Sequence, residues 1–365
     1  MKKRRHITLE SIAGRLKVSR VTVSKALRGH ADISPEMTRR VQKLADELGY
    51  TPNIIARNLS ARRSHMIGFV VPKIAHSFFG PVIEGVYNTA FARKYETILT
   101  VSQENADREK LHLQTLVAMR VDGIIISISQ GTRDVEQFKR IRRLGIPVVF
   151  VDRRPEPPLA GFSSVLVDDR DGAYRAIEHA IRIGYRKLGI IGGSDIVNIG
   201  NERLRGFTEA MKDNHLPVRT EWVVRGGYGM DDGYAALKHL HGKGTLPECI
   251  LAMTYPVALG ICEAAKELGI RIPEDIDIIC FGDSDAGRYM SPAISVICQP
   301  AYELGARAVQ VLLEELAGPE GAQEHHVVLP TQLVLRETCV SRRAVGIERP
   351  AALEGLAVPA QSSHD

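Results

Sequence analysis

Residues 7–29, ITLESIAGRLKVSRVTVSKALRG, leave the chain few ways to fold. Leu9, Ile12, Ala13 and Leu16 recur at helical spacing and predict a short amphipathic helix. Gly14, Lys17 and Val18 fall at or near its end, where a turn fits. Ser19 then suits the cap of a second helix, its side chain accepting from a backbone N–H of the first turn. On that helix Val23, Ala26 and Leu27 share one face, while Arg20, Val21, Ser24, Lys25 and Arg28 share the other. Two short crossing helices with a basic outer face make a helix-turn-helix, and the second helix is shaped for the DNA major groove. The bland alternative is a basic helical hairpin on the surface of some larger domain.

Charge distribution favours the first reading. Residues 1–63 hold fifteen Lys/Arg and five Asp/Glu, a net of +10, so the rest nets −5 within the chain's +5. A basic head on a mildly acidic body suits binding to a polyanion. Ser34-Pro35 opens a third helix, with Ser as cap and Pro at the first helical position. Met37, Val41, Leu44 and Leu48 form its apolar stripe, and Gly49 ends it. Residues 50–60, YTPNIIARNLS, carry helix-start signals but are too few for a stable isolated helix. They are expected to fold only against a second copy or against DNA; an ordinary linker is the alternative.

At 365 residues, 44% hydrophobic and 25% charged, the chain reads as two or three globular domains. No stretch reaches the roughly 20 apolar residues that span a bilayer, and the basic start is not followed by the apolar run of a secretory signal. The five cysteines form no CxxC pair and read as buried thiols of a cytoplasmic protein.

From Met66 short apolar runs alternate with amphipathic stretches, predicting repeated βαβ units and parallel sheets. One series spans strands at 67–71, 97–101, 123–127 and 148–151. A second starts near Ser164, with strands at 165–167, 187–191, 222–224, 249–253 and 277–281. Single strands at 294–297 and 326–335, with a helix at 302–317 between them, remain unplaced by periodicity.

The segments ITLESIAGRLKVSRVTVSKAL, YTPNIIARNL, IPVVFVDR, ERLRGF, PECILAMTYPVALG and PAISVICQP together resemble the LacI/GalR (lac repressor) family of bacterial transcription factors, from about residue 7 to 340. The resemblance implies an all-α helix-turn-helix head (1–49), a hinge helix and linker (50–65) and an α/β sensor (66–340) with two parallel-sheet lobes of type I periplasmic-binding-protein-like architecture. Lobe 1 is expected at about 66–162 and 295–321, lobe 2 at about 163–294 and 322–340, with three crossovers. Residues 341–365 lack apolar period and are expected to be a disordered tail.

It also implies residue roles. Arg20, Val21 and Lys25 take base-reading positions, Ser19, Thr22, Ser24 and Asn53 backbone-contacting ones, and Leu59 that of a leucine wedged into the minor groove. Lys25 stands where the family usually has Arg and lacks the planar fork that arginine offers guanine. In the sensor, Phe78, Phe79, Asp152, Arg153, Arg203, Tyr228 and Tyr255 would face a cleft beyond the carboxyl ends of the strands. Phe79 as plain core, and Asp152 with Arg203 as a simple ion pair, are the alternatives. Tyr255 replaces an aspartate usual in the family.

The expected function is a repressor, and not an enzyme, whose partners are double-stranded operator DNA, a small-molecule effector and a second copy of itself, with no membrane and no cofactor. A cytoplasmic sugar-binding protein or an enzyme on the same scaffold is the alternative, but no HExxH, Cys/His cluster, GxGxxG or Walker lysine supports it. With Tyr255 in place of an aspartate, Arg203 would lose one nearby negative counterpart, leaving the pocket more positive. That favours an anionic sugar derivative as effector over a neutral hexose; the competing reading is that Tyr255 fills the cleft and the protein responds to a protein partner or to no ligand.

Overall fold

A computed structural model of the chain describes residues 7–50, 63–318 and 324–340. The expected hinge helix, with Asn53 and Leu59, and the expected tail lie outside the described residues. Two compact units divide between His65 and Met66.

Among its described residues the first unit holds three helices: α1 (Leu9–Leu16), α2 (Arg20–Leu27) and α3 (Pro35–Leu48). Each start is capped as its sequence dictates. Thr8 and Ser11 form a reciprocal capping box at α1. The Ser19 hydroxyl accepts from Thr22 N–H at 3.0 Å, and that of Ser34 from Met37 N–H at 3.3 Å. Lys17, in the left-handed region (φ 53°), closes α1 and turns the chain into α2. Ile12, Ala13, Val23, Ala26, Val41 and Ala45 form the buried core. So few residues bury little apolar surface, and the head is a small domain stabilised further by whatever it binds.

The second unit is two α/β lobes. The chain runs β1 (Met66–Val71), α4 (Phe79–Ala92), β2 (Glu96–Val101), α5 (Ala106–Ala118), β3 (Gly123–Ile126), α6 (Glu136–Arg143), β4 (Val148–Val151) and β5 (Ser164–Val167). It continues through α7 (Asp169–Arg182), β6 (Leu188–Ile191), α8 (Asn198–Asp213), β7 (Val223–Val224), α9 (Met230–Gly242), β8 (Cys249–Ala252), α10 (Tyr255–Leu268), β9 (Asp277–Phe281) and β10 (Ser295–Cys298). Then come α11 (Ala301–Ala317), β11 (His326–Leu329) and β12 (Gln332–Val334). One six-stranded sheet has the order β11-β5-β4-β3-β1-β2 and is parallel throughout. The other has the order β12-β10-β9-β8-β6-β7, with only β12 antiparallel. Most central strands are apolar on both faces because helices cover both sides.

The lobe boundaries differ from those expected. β5 does not open the second lobe: Ser164 and Val165 pair with Phe150 and Val151 in the first sheet. β10 belongs to the second sheet through β9, so the chain returns to the first lobe only with α11. The single strand expected at 326–335 is two strands, β11 on β5 in the first sheet and β12 on β10 in the second. A strand buried on both faces carries no mark of the sheet it joins; long-range pairing decides. The crossovers therefore fall near Asp168, Gln299 and Leu329. At the first, the Asp168 carboxylate caps α7 by accepting from Asp171 N–H at 2.9 Å. α8 begins at Asn198, so Arg203 sits inside the helix, in its second turn.

Candidate functional site

Two sets of side chains emerge. On α2, Val23 and Ala26 are fully buried, while Arg20, Val21 and Arg28 are exposed and Ser24 and Lys25 partly so. Val21 is 61% exposed, an apolar side chain with no core to fill. The Ser19 and Thr22 hydroxyls lie 2.8 Å apart at the helix start. Arg20 Nη1 is 3.6 Å from Glu10, Arg28 Nε donates to the Ser24 carbonyl at 3.1 Å, and Lys25 Nζ donates to Asp32. Ser19, Arg20, Val21, Thr22, Ser24 and Lys25 thus sit together at the cap and outer face of α2.

The second set surrounds a cleft with about 290 Å³ of empty space, part of it open to solvent. Phe78 and Phe79 follow β1 and open α4, their rings edge to face with centroids 5.1 Å apart. At the end of β4 the backbone turns sharply: Asp152 is left-handed (φ 62°), a conformation Asp tolerates, and Arg153 follows it. Both are buried. Ser127 Oγ donates to Asp152 at 3.2 Å, and burial raises the Asp152 carboxyl above the usual carboxylate range against the pull of Arg153 and Arg203.

Each arginine has its own carboxylate. Arg153 Nη1 donates to Glu104 at 2.8 Å, and its guanidinium lies 4.5 Å from the Tyr228 ring centroid. Arg203 donates from Nε to Asp169 at 2.8 Å and from Nη1 to the Met253 carbonyl, and lies 4.0 Å from the Phe281 ring centroid. Burial lifts Asp169 to about 6 despite that arginine. His76, on the same wall, is held down to about 4 by burial and then by Arg153 and Arg203, so it is neutral near pH 7. Two buried donors, Arg153 Nε and Gln299 Nε2, have no hydrogen-bond partner.

Phe78, Phe79, Asp152, Arg153 and Arg203 line the cleft. Tyr228 stands behind Arg153, its hydroxyl accepting from Ser194 N–H at 3.1 Å. Tyr255 departs from the expectation. It is the first residue of α10, capped by Thr254, and its hydroxyl turns to Met290 Sδ at 3.3 Å. It fits because residue 287 is glycine: a Cβ there would lie 2.2 Å from the tyrosine oxygen. The cleft wall at this point is Thr254 instead. Arg203 keeps one negative neighbour, Asp169, which was not singled out from the sequence. His76, Ile199, Thr254, Phe281 and Gln299 also line the cleft and were not singled out from the sequence. His76 immediately precedes SFF, and Gln299 is the last residue but one of PAISVICQP, so position at those segments was the available signal.

The chain is similar over most of its length to proteins of known role. Residues 8–53 match the family model for bacterial regulatory proteins, lacI family, and residues 177–339 that of a periplasmic binding protein-like domain. The ribose operon repressor of Haemophilus influenzae is 30% identical over 340 residues, 93% of this chain and 98% of the relative. This chain belongs to the lacI family. It is a DNA-binding transcriptional regulator with a helix-turn-helix head and a two-lobed sensor. Another lacI-family relative, the repressor PurR of Pasteurella multocida, is 30% identical and covers 92% of this chain and 99% of its own. Among solved structures, the transcriptional regulator CelR in complex with cellobiose aligns with a TM-score of 0.70 at 26% identity, over 91% of this chain and 99% of its own. The lac repressor dimer bound to operator shares the fold, with a TM-score of 0.79 at 22% identity over 92% and 100%.

Proposed function

We propose that this lacI-family protein is a cytoplasmic, dimeric repressor without catalytic activity, and that a small neutral sugar in the cleft sets its affinity for operator DNA. In the head, Arg20, Val21 and Lys25 read base edges, and Ser19, Thr22 and Ser24 hold phosphates. Val21 suits a thymine methyl, while Arg20 and Lys25 suit guanine. One such head buries little, so affinity comes from two heads at fixed half-site spacing. Asn53 and Leu59, outside the described residues, are assigned to the backbone and to a minor-groove wedge.

The observation that carries the sugar reading is the charge balance of the cleft. Arg153 has Glu104, Arg203 has Asp169, His76 is neutral, and Asp152 adds a further acceptor. No cationic surplus is left for an anion, so the anionic effector favoured by the sequence gives way to a neutral one. Asp152 accepts from sugar hydroxyls, the donors on Arg153 and Gln299 gain an acceptor, and Phe78, Phe79 and Phe281 offer apolar walls to a ring's C–H face. A solved regulator of similar fold in complex with cellobiose supports a sugar as the kind of ligand. A ligand that prefers one lobe arrangement shifts the DNA-binding equilibrium by its differential affinity.

A thermal-shift screen of neutral sugars against matched sugar acids and sugar phosphates tests the effector class, since a ligand bound only by the native state raises Tm. A neutral sugar is expected to raise it; stabilisation by the acids alone would overturn the reading.

A further inference from the structure

Lys25 does not extend freely from the outer face of α2. Its Nζ donates to Asp32 Oδ2 in the loop between α2 and α3, and that hydrogen bond holds the Asp32 carboxyl below the usual carboxylate range. The two side chains are 37% and 51% exposed, and His30 Nδ1 lies 4.0 Å from the other Asp32 oxygen. An exposed ion pair of this kind adds little to folding stability. What it changes is where the ammonium can go.

A lysine is a point charge on a flexible stem. Facing a duplex, a free one meets phosphates on every sequence and gains affinity without selectivity. A carboxylate that holds one of its three N–H donors fixes the direction of the other two. The same carboxylate brings a negative charge to the surface that approaches the phosphates, so it lowers attraction to all duplexes alike. Glu10, the acid near α2 on the neighbouring helix, faces Arg20 and not Lys25.

We infer that Asp32 is a specificity-determining residue: by holding Lys25 it directs that ammonium to a base edge and withholds it from phosphate. This rests on Lys25 reading a base.

The test starts by letting the full-length protein select duplexes from a random library. The enriched duplex, its single-base-pair variants and an unrelated duplex are then titrated by fluorescence anisotropy at several salt concentrations. Lys25→Ala is expected to erase preference at one base pair. Asp32→Ala is expected to weaken preference at that same base pair about tenfold, to bind the unrelated duplex more tightly, and to steepen the log–log salt slope by ~0.9 as the freed ammonium takes a phosphate. Asp32→Asn keeps an acceptor for Nζ and is expected to change in the same direction by less. It carries the comparison if Asp32→Ala unfolds the head. Wild-type preference at that base pair together with a wild-type salt slope, in whichever variant is folded, would overturn the assignment. A Lys25→Ala protein with every base preference intact would instead overturn the reading beneath it, whatever Asp32 does.

Discussion

Asn198 clasps the backbone on both sides of Arg153: its Nδ2 donates to the Asp152 carbonyl at 3.1 Å, and its Oδ1 accepts from Arg154 N–H at 2.8 Å. Asn198 opens α8 in the second lobe, while the two backbone groups follow β4 in the first, so one buried side chain ties the lobes beside the cleft. A backbone bridge between Pro155 and Val197 runs alongside it. Asn198→Ala removes both bonds and strands two backbone groups, each at a cost on the order of 1–3 kcal/mol if it stays dry. Calorimetry of the full-length protein is expected to show a Tm lower by several degrees. An unchanged Tm would mean that water or a neighbour replaces the clasp.

The Arg203–Asp169 pair gives a second expectation. Both side chains are 2% exposed. Arg203→Met leaves a carboxylate buried without its partner, a loss on the order of 3–5 kcal/mol. Arg203→Met combined with Asp169→Leu removes both charges and is expected to recover much of that. Urea unfolding midpoints measure it; additive losses in the double variant would show that the two residues do not act as a pair.

The same pair titrates. Asp169 has a folded pKa of about 6 against an ordinary 3.8, so folding takes up a proton between those values. Stability relative to Asp169→Asn is therefore expected to fall as pH rises from about 4 to about 6, and to stay level above. His76 runs the other way. Its folded pKa, about 4, lies below the ordinary 6.5, so its contribution is full above 6.5 and is lost as pH falls through that window. Unfolding of His76→Gln alongside wild type across pH 4–7 checks the sign; parallel curves would contradict it.

In the head, Arg20→Ala is expected to lose on the order of 1–3 kcal/mol of discrimination at one base pair. Equal weakening on selected and unrelated duplexes would reduce Arg20 to a phosphate contact.

The head was nearly complete in the sequence, because its signals are local. Ser19, Ser34 and Pro35 mark helix starts by chemistry that acts within one turn, and Val23 and Ala26 mark the buried face by spacing alone. The sensor was legible as alternating strands and helices, but not in which sheet each strand joins. SVLV at 164–167 would read the same in either lobe; only its pairing with β4 and β11 places it. The cleft was half legible for a related reason. Asp152 and Arg153 stand at a strand end, where a motif points to them. The partners Glu104 for Arg153 and Asp169 for Arg203 come from elsewhere in the chain, and it is these two carboxylates that set the charge around the arginines. Tyr255 turned away because Gly287, thirty-two residues on, leaves room for its ring.

The most direct test of the whole account is the DNA affinity of the full-length protein, read by anisotropy on its selected duplex with and without neutral sugars, in wild type and Asp152→Asn. Asparagine tolerates the left-handed backbone at this position and keeps its size, while removing the charged acceptor. One neutral sugar is expected to shift the DNA dissociation constant of wild type about fivefold or more, in either direction, and to leave that of Asp152→Asn nearly unchanged. A shift produced only by sugar acids, or one that survives Asp152→Asn undiminished, would contradict a neutral sugar held by Asp152 as the signal.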